Sequence, residues 1–277
     1  MTPTFTFPNG KTVNRIGYGA MRLTGQPRNF GPYADWQGGI DLLRRAKALG
    51  VTHIDTARAY GPHENERLIA DALVQDDGTY GEMFIASKGG VEKSATSISR
   101  DTTPETMKRH LAESLASLRT EKIDLYYVHA PDGSTPVSES VAALEEMRQA
   151  GKIDLIGLSN VSRAQVEEAQ RIAPIAAVQN RYSPADERDD ALEEMIDWLD
   201  AQGIAFVPHG PLGANPMQQG AKVDPGEALR RLLARAPNIL AIPGTTTIAH
   251  LEENAAALGG LGATRALRWT GRAIGAV

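Results

Sequence analysis

The chain has 277 residues, 42% of them hydrophobic, enough to bury a full core as one barrel or as two smaller domains. Its formal charge of −5, with acidic and basic residues interspersed, provides no basic face for nucleic acid and no polybasic patch for anionic lipid, so a small-molecule partner is expected. The lack of cysteine excludes disulfides, thiolate catalysis and cysteine-ligated metals, and no stretch reaches the roughly 18 apolar residues of a membrane span; with no export-like N-terminus, a cytoplasmic location is expected.

The opening TFTFPNGKTV places two β-rich runs around Asn9-Gly10, a dipeptide suited to tight turns, which predicts a small N-terminal hairpin. From Ile16 onward short apolar runs alternate with longer segments of helical period, the signature of repeated βα units. The expected strands are 16–19, 52–55, 83–87, 123–129, 155–159, 176–180, 204–208 and 239–242, most of them apolar on both faces as buried parallel strands are. Helices are expected over 36–49, 64–73, 104–118, 137–150, 163–172, 189–201, 226–234 and 249–258. Gly50, Gly151 and Gly203 each fall just past a helix, where a left-handed residue costs glycine nothing.

Eight such units without a long polar linker predict an α/β fold, a single (β/α)8 TIM barrel over about 16–258 preceded by the hairpin. The glycine-rich 259–277 reads as a loosely packed tail. Catalytic groups of such barrels sit where strands run into βα loops, so strand ends are the places to search. The second strand ends in Asp55, the third at Lys88, the fourth in His129, the fifth in Ser159-Asn160 and the sixth in Gln179-Asn180.

The motifs HIDTARAYG (53–61), ASK (86–88), LYYVH (125–129), GLSN (157–160), VQN (178–180) and IPGT (242–245) followed by Asn254 resemble the aldo-keto reductases, in order and over about 16–258. The resemblance identifies Asp55, Tyr60, Lys88 and His129 with the family's catalytic tetrad. Hydride delivered to a carbonyl carbon builds charge on oxygen, which needs a proton. Tyr60 is the expected donor; a phenol titrates near ~10 in water, so a nearby cation, Lys88, is expected to tune it. Asp55 holds the ammonium in place, and His129 orients the carbonyl and stabilises the developing oxyanion. The overall likeness is to shorter bacterial-type members, some of which reduce pyridoxal, so pyridoxal or simple aromatic aldehydes are the first substrates to test.

The resemblance also places Ser159, Asn160 and Gln179 on the nicotinamide carboxamide. Ser159 and Asn160 serve equally well as a cap for the next helix, and both uses are compatible. Where the family commonly stacks a tyrosine on the nicotinamide, this chain has His209, followed by Pro211 and Leu212. At the adenosine end the usual cations are missing: Gly244, Thr245 and His250 occupy the positions that grip the 2′-phosphate, while Asn254 matches an adenine contact. Exposed amides at the following helix start supply anion binding. NADP(H) is the expected cofactor and NAD(H) the alternative; no metal is expected, and a monomer is the family default.

Taken singly, these residues have plainer explanations. His129 alone reads as a satisfied core histidine, Lys88 as a surface lysine, Asp55 as a turn residue and His209 as loop filler. Glu64, Glu66 and Arg67 read as a solvated helix face, and the serine- and threonine-rich loop 89–103 as a mobile segment able to fold over the cofactor. Two rival functions stand beside the reductase: a cofactor-binding regulatory subunit without turnover, and a barrel isomerase or aldolase using Lys88 as a Schiff base.

Overall fold

The computed structural model describes residues 2–183, 188–210 and 224–257. The elements run β1 (Thr4–Thr6), β2 (Thr12–Asn14), β3 (Tyr18–Gly19), α1 (Trp36–Ala48), β4 (His53–Asp55), α2 (Glu64–Leu73), β5 (Phe84–Gly89), β6 (Val91–Lys93), β7 (Ile98–Arg100), α3 (Pro104–Leu118), β8 (Ile123–Val128), α4 (Val137–Gln149), β9 (Ile153–Ser159), α5 (Arg163–Gln170), β10 (Ile175–Gln179), α6 (Asp190–Ala201), β11 (Ala205–Phe206), α7 (Pro225–Arg235) and α8 (Ile248–Ala256). Local chemistry sets several helix starts. Asp35 accepts the Gly38 N–H ahead of α1, Thr103 precedes a proline at the start of α3, and Ser162 forms a reciprocal capping box with Gln165 on α5. None of the described helices is long and apolar enough to cross a membrane.

Seven strands form one parallel sheet in the order β11-β10-β9-β8-β5-β4-β3, as expected for a (β/α)8 barrel. The eighth staves the ring without qualifying as a strand. Residues 239–242 bridge to β11 through Phe206 and to the start of β3 through Ile16, and the Leu240 and Ala241 N–H groups donate to the Phe206 and Arg15 carbonyls at 2.9 and 2.8 Å. Pro237 and Pro243 flank this segment and lack donors, which limits the pairing to single bridges.

Side chains alternate across the sheet. The outward set, including Ile54, Ile85, Tyr126, Ile156, Val178 and Phe206, packs against apolar faces of the helices. The inward set includes Phe84, Ala86, Leu125, Tyr127, Ala177, Val207 and Ile242 and fills the barrel. The N-terminal hairpin β1–β2 closes the end where strands begin: Phe7 lies 4.7 Å from the Phe84 ring in a stacked arrangement, and Val13 joins the same cluster. The other end is left to the βα loops. The expected tail at 259–277 lies outside the described residues.

Two expectations are corrected. The 89–103 segment contains an antiparallel hairpin, β6–β7, with Val91 opposite Arg100 and Lys93 opposite Ile98. Its turn is built by Ser94, whose hydroxyl accepts the Thr96 and Ser97 N–H groups at 3.2 and 3.0 Å. Glu66 is not on a solvated face but fully buried, because it shares the helix face of Ile69, Ala70 and Leu73.

Candidate active site

Asp55 ends β4 and Lys88 lies near the end of β5, two residues after inward-facing Ala86, so the ladder aims both side chains into the barrel mouth. Both are buried. Lys88 Nζ donates to Asp55 Oδ1 at 2.5 Å and to the Thr56 carbonyl at 2.8 Å, and lies 3.5 Å from the Tyr60 hydroxyl. The other carboxylate oxygen accepts from Gln179 Nε2 at 2.8 Å, so each Asp55 oxygen has a partner and the pair survives out of water. Burial alone would lower the Lys88 pKa; Asp55 and Tyr60 outweigh it and raise it, leaving a firm ammonium.

Tyr60 is half-buried on the loop joining β4 to α2. Its loop is tied from three sides. Arg58 N–H donates to the Lys88 carbonyl at 3.2 Å, His63 N–H to the Arg58 carbonyl at 2.9 Å, and the buried Arg58 guanidinium reaches Glu92 on β6 at 2.9 Å and Glu113 on α3. The Tyr60 pKa is raised rather than lowered: burial and Asp55 outweigh the pull of Lys88, so the phenol keeps its proton at neutral pH. Lys88 does pull the phenol in the expected direction, but burial and Asp55 outweigh it.

His129 follows β8, with its ring edge-on to Tyr60 at 5.9 Å between centroids. Its backbone N–H donates to the Gly89 carbonyl at 2.8 Å, and Nδ1 is buried without a partner. Burial first, then the charge of Lys88, holds its pKa well below the ordinary histidine value. The imidazole is neutral at pH 7, with one N–H to donate.

On the far side of the mouth, Ser159 is buried at the end of β9 and Asn160 turns the chain with φ 58°, a left-handed conformation that asparagine tolerates. Asn160 Nδ2 donates to the His129 carbonyl and to Ser159 Oγ, both at 3.0 Å, and its Oδ1 faces His209 Nε2 at 3.1 Å. The cap of α5 is Ser162, not this pair. His209 is half-buried and fixed through its N–H to the Asn180 carbonyl at 3.0 Å. Pro211 and Leu212 lie outside the described residues.

Beyond residue 242 the chain turns against the end of β3: a Cβ on Gly244 would lie 2.7 Å from the Gly19 carbonyl and 3.7 Å from the Arg22 side chain, so only glycine allows this approach. Thr245 Oγ1 accepts the Thr247 N–H at 3.1 Å, and the Tyr18 hydroxyl donates to the Thr245 carbonyl at 2.6 Å. Thr247 precedes α8 without a side-chain cap, so the first-turn amides of that helix are not capped. His250 is exposed and Asn254 buried on α8.

The fold and site are those of a known family. The Aldo/keto reductase family model matches residues 15–227. The chain is 42% identical over 272 residues to the pyridoxine 4-dehydrogenase of Escherichia coli K12, covering 92% of each. It is 31% identical to the aldo-keto reductase yakc [NADP(+)] of Schizosaccharomyces pombe, covering 89% of this chain and 84% of that one. Among solved structures, a thermostable aldo-keto reductase superposes with a TM-score of 0.79 at 28% identity, covering 94% of both chains. Paired with the Asp55–Lys88–Tyr60 cluster at the mouth of a parallel barrel, these likenesses show that the chain belongs to the aldo/keto reductase family.

Proposed function

We propose that this protein is a cytoplasmic, monomeric reductase that converts a small aldehyde or ketone to its alcohol with NADPH, acting on pyridoxal and simple aromatic aldehydes among its substrates. The observation that carries the reading is the Asp55–Lys88–Tyr60 chain of contacts ending beside a neutral His129. The substrate preference rests on the 42% identity to a pyridoxine 4-dehydrogenase. NADPH rests on a relative whose name carries NADP(+), with NADH the alternative because the expected cations at 244–250 are replaced by Gly244, Thr245 and His250.

The residues present fit such a cofactor. The uncapped amides at the start of α8 suit a phosphate, with Thr245 just before that helix and His250 and Asn254 on it. Ser159, Asn160 and His209 would hold the nicotinamide end; Gln179, whose amide nitrogen is committed to Asp55, acts there through the floor of the site. When bound, the cofactor supplies the hydride.

The protein's part is proton delivery and charge placement. Tyr60 gives its proton to the carbonyl oxygen as charge builds there, and the fixed Lys88 ammonium stabilises the phenolate left behind. Neutral His129 donates to the same oxygen and turns the carbonyl toward the hydride. Asp55 keeps Lys88 charged and still, which also argues against Schiff-base chemistry, since that needs a neutral amine.

The test is absorbance of reduced nicotinamide with a panel of aldehydes, pyridoxal included, for wild type and Tyr60→Phe. Cofactor oxidation by wild type that falls by about 100-fold or more in Tyr60→Phe is expected, in line with loss of a general acid. Cofactor binding without turnover of any carbonyl would overturn the reductase reading.

A further inference from the structure

The β6–β7 hairpin presents two unlike faces. Side chains alternate, so Glu92 points to one side, where it meets Arg58, Arg109 and His110 at 2.9, 3.0 and 2.7 Å. On that side every cation has a carboxylate. Val91, Lys93, Ile98 and Arg100 share the other face. Lys93 is half-buried and Arg100 exposed, and among the described residues neither has an ion pair or a side-chain hydrogen bond. The carboxylates that flank the hairpin are already engaged: Asp101 accepts from Thr103 and Thr106, and Asp132 from the N–H groups of Thr102, Ser134 and Thr135.

That second face, turned away from Arg58, Arg109 and His110, carries the two cations whose charge reaches His129. Lys93 and Arg100 add to the positive charge that lowers the His129 pKa, and the hairpin begins at Val91, one residue past the end of β5 at Gly89. The framework is anchored at both ends, through the Asp101 N–H to the Gly90 carbonyl at 3.0 Å and, at the tip, through Arg28 Nη1 to the Ala95 carbonyl at 3.0 Å. The residues suited to cofactor lie at other strand ends, after β9, β10, β11 and residue 242, so the hairpin after β5 bounds a part of the mouth that they do not occupy. Ile98, 67% exposed between the two cations, offers an apolar contact beside them.

We propose that Lys93 and Arg100 form an oxyanion-recognition site, so that the preferred substrates are aldehydes or ketones with an apolar body and a carboxylate or phosphate group remote from the carbonyl. This rests on the reduction proposed above. An arginine and a half-buried lysine with no carboxylate partner among the described residues bind such groups by charge-assisted hydrogen bonds.

Three para-substituted benzaldehydes separate the possibilities: 4-formylbenzoate, 4-formylphenyl phosphate and methyl 4-formylbenzoate. Binding to the NADP+-loaded protein is measured by calorimetry and turnover by absorbance, for wild type and for Lys93→Met/Arg100→Gln. Wild type is expected to bind at least one anion about tenfold more tightly than the neutral ester, and the double variant to lose that margin while handling the ester as before. The better anion identifies carboxylate or phosphate as the natural group. Equal affinity for ester and anions in wild type, or a margin that persists in the double variant, would overturn the proposal. Charge-dependent binding without turnover would uphold the site and overturn the reduction. A charge-reversed Lys93→Glu/Arg100→Glu variant guards against a folding artefact: it should repel both anions and still bind the ester, and unchanged anion affinity would count against the site.

Discussion

Glu66 lies fully buried beneath β5, where Ser87 Oγ donates to its Oε1 at 2.6 Å, and burial raises its pKa to about 7. The folded state therefore binds a proton that the unfolded chain releases near the ordinary carboxylate value. Stability from this residue is greatest below that value and declines as pH rises through about 7, the reverse of a salt-bridged carboxylate. Glu66→Gln removes the titration, so it should flatten the pH dependence and stabilise the protein at pH 8 by about 3 kcal/mol, because each tenfold difference in proton affinity between folded and unfolded chain is worth ~1.4 kcal/mol. Urea unfolding of both proteins at pH 5.5 and 8 checks this, and an equal loss at both values would refute it. Single residues were unevenly legible in the sequence. Asp55, Tyr60, Lys88 and His129 converge because each ends or follows a strand on the same rim. The charge of Glu66 points to solvent, but its spacing from Ile69, Ala70 and Leu73 puts it on the buried face of α2. The direction in which the Tyr60 pKa moves depends on the balance of burial, Lys88 and Asp55, which no motif encodes.

Among the elements, the loop between β4 and α2 governs where the phenol stands. Arg58 joins that loop to β6 through Glu92 and to α3 through Glu113, two residues before Tyr60. Arg58→Gln keeps hydrogen-bonding capacity but loses the two-sided ionic clamp, so Tyr60 should sample a wider range about its 3.5 Å separation from Lys88. A fall in kcat of about tenfold with KM for NADPH close to wild type is expected from steady-state kinetics, since small misplacements of a reacting group are costly and the cofactor loops lie elsewhere. A change confined to KM would show that Arg58 does not position the tyrosine. Most helices were readable from their period and ends, α2 and α3 to the residue, because Thr103-Pro104 and similar caps are local signals. The β6–β7 hairpin was not, because strands of three residues around a serine-rich turn carry too little periodicity to separate from a loop.

At the level of the whole molecule, the barrel closes through contacts between the first and last parts of the described chain. Arg15 sits at this junction, wholly buried, with Nε donating to the Ile239 carbonyl at 3.0 Å and Nη2 to the Leu233 carbonyl at 2.8 Å and to that of Ala236. Carbonyls at the end of α7 are the negative pole of that helix, a suitable place for a buried cation, and the charge of Asp200 also favours it there. The ring was foreseeable from eight repeated units, but the thinness of the last stave was not, since 239–242 reads as an ordinary apolar strand and only the two flanking prolines hint at its short pairing. Elsewhere in the ring, β8 pairs with β9 over a long register, whereas the final stave is held by isolated bridges. The cylinder is thus a strip with a seam, and a seam has its own opening free energy, below that of the body. Deuterium should enter first at the Gly17, Leu240 and Ala241 amides, well before those of β8 and β9, and Arg15→Met should speed that entry; uniform protection around the ring would mean the junction holds as firmly as any other pair. Transient opening there would also loosen the Gly19–Gly244 approach, so the resilience of the turn proposed to hold phosphate is inherited from the weakest line in the cylinder.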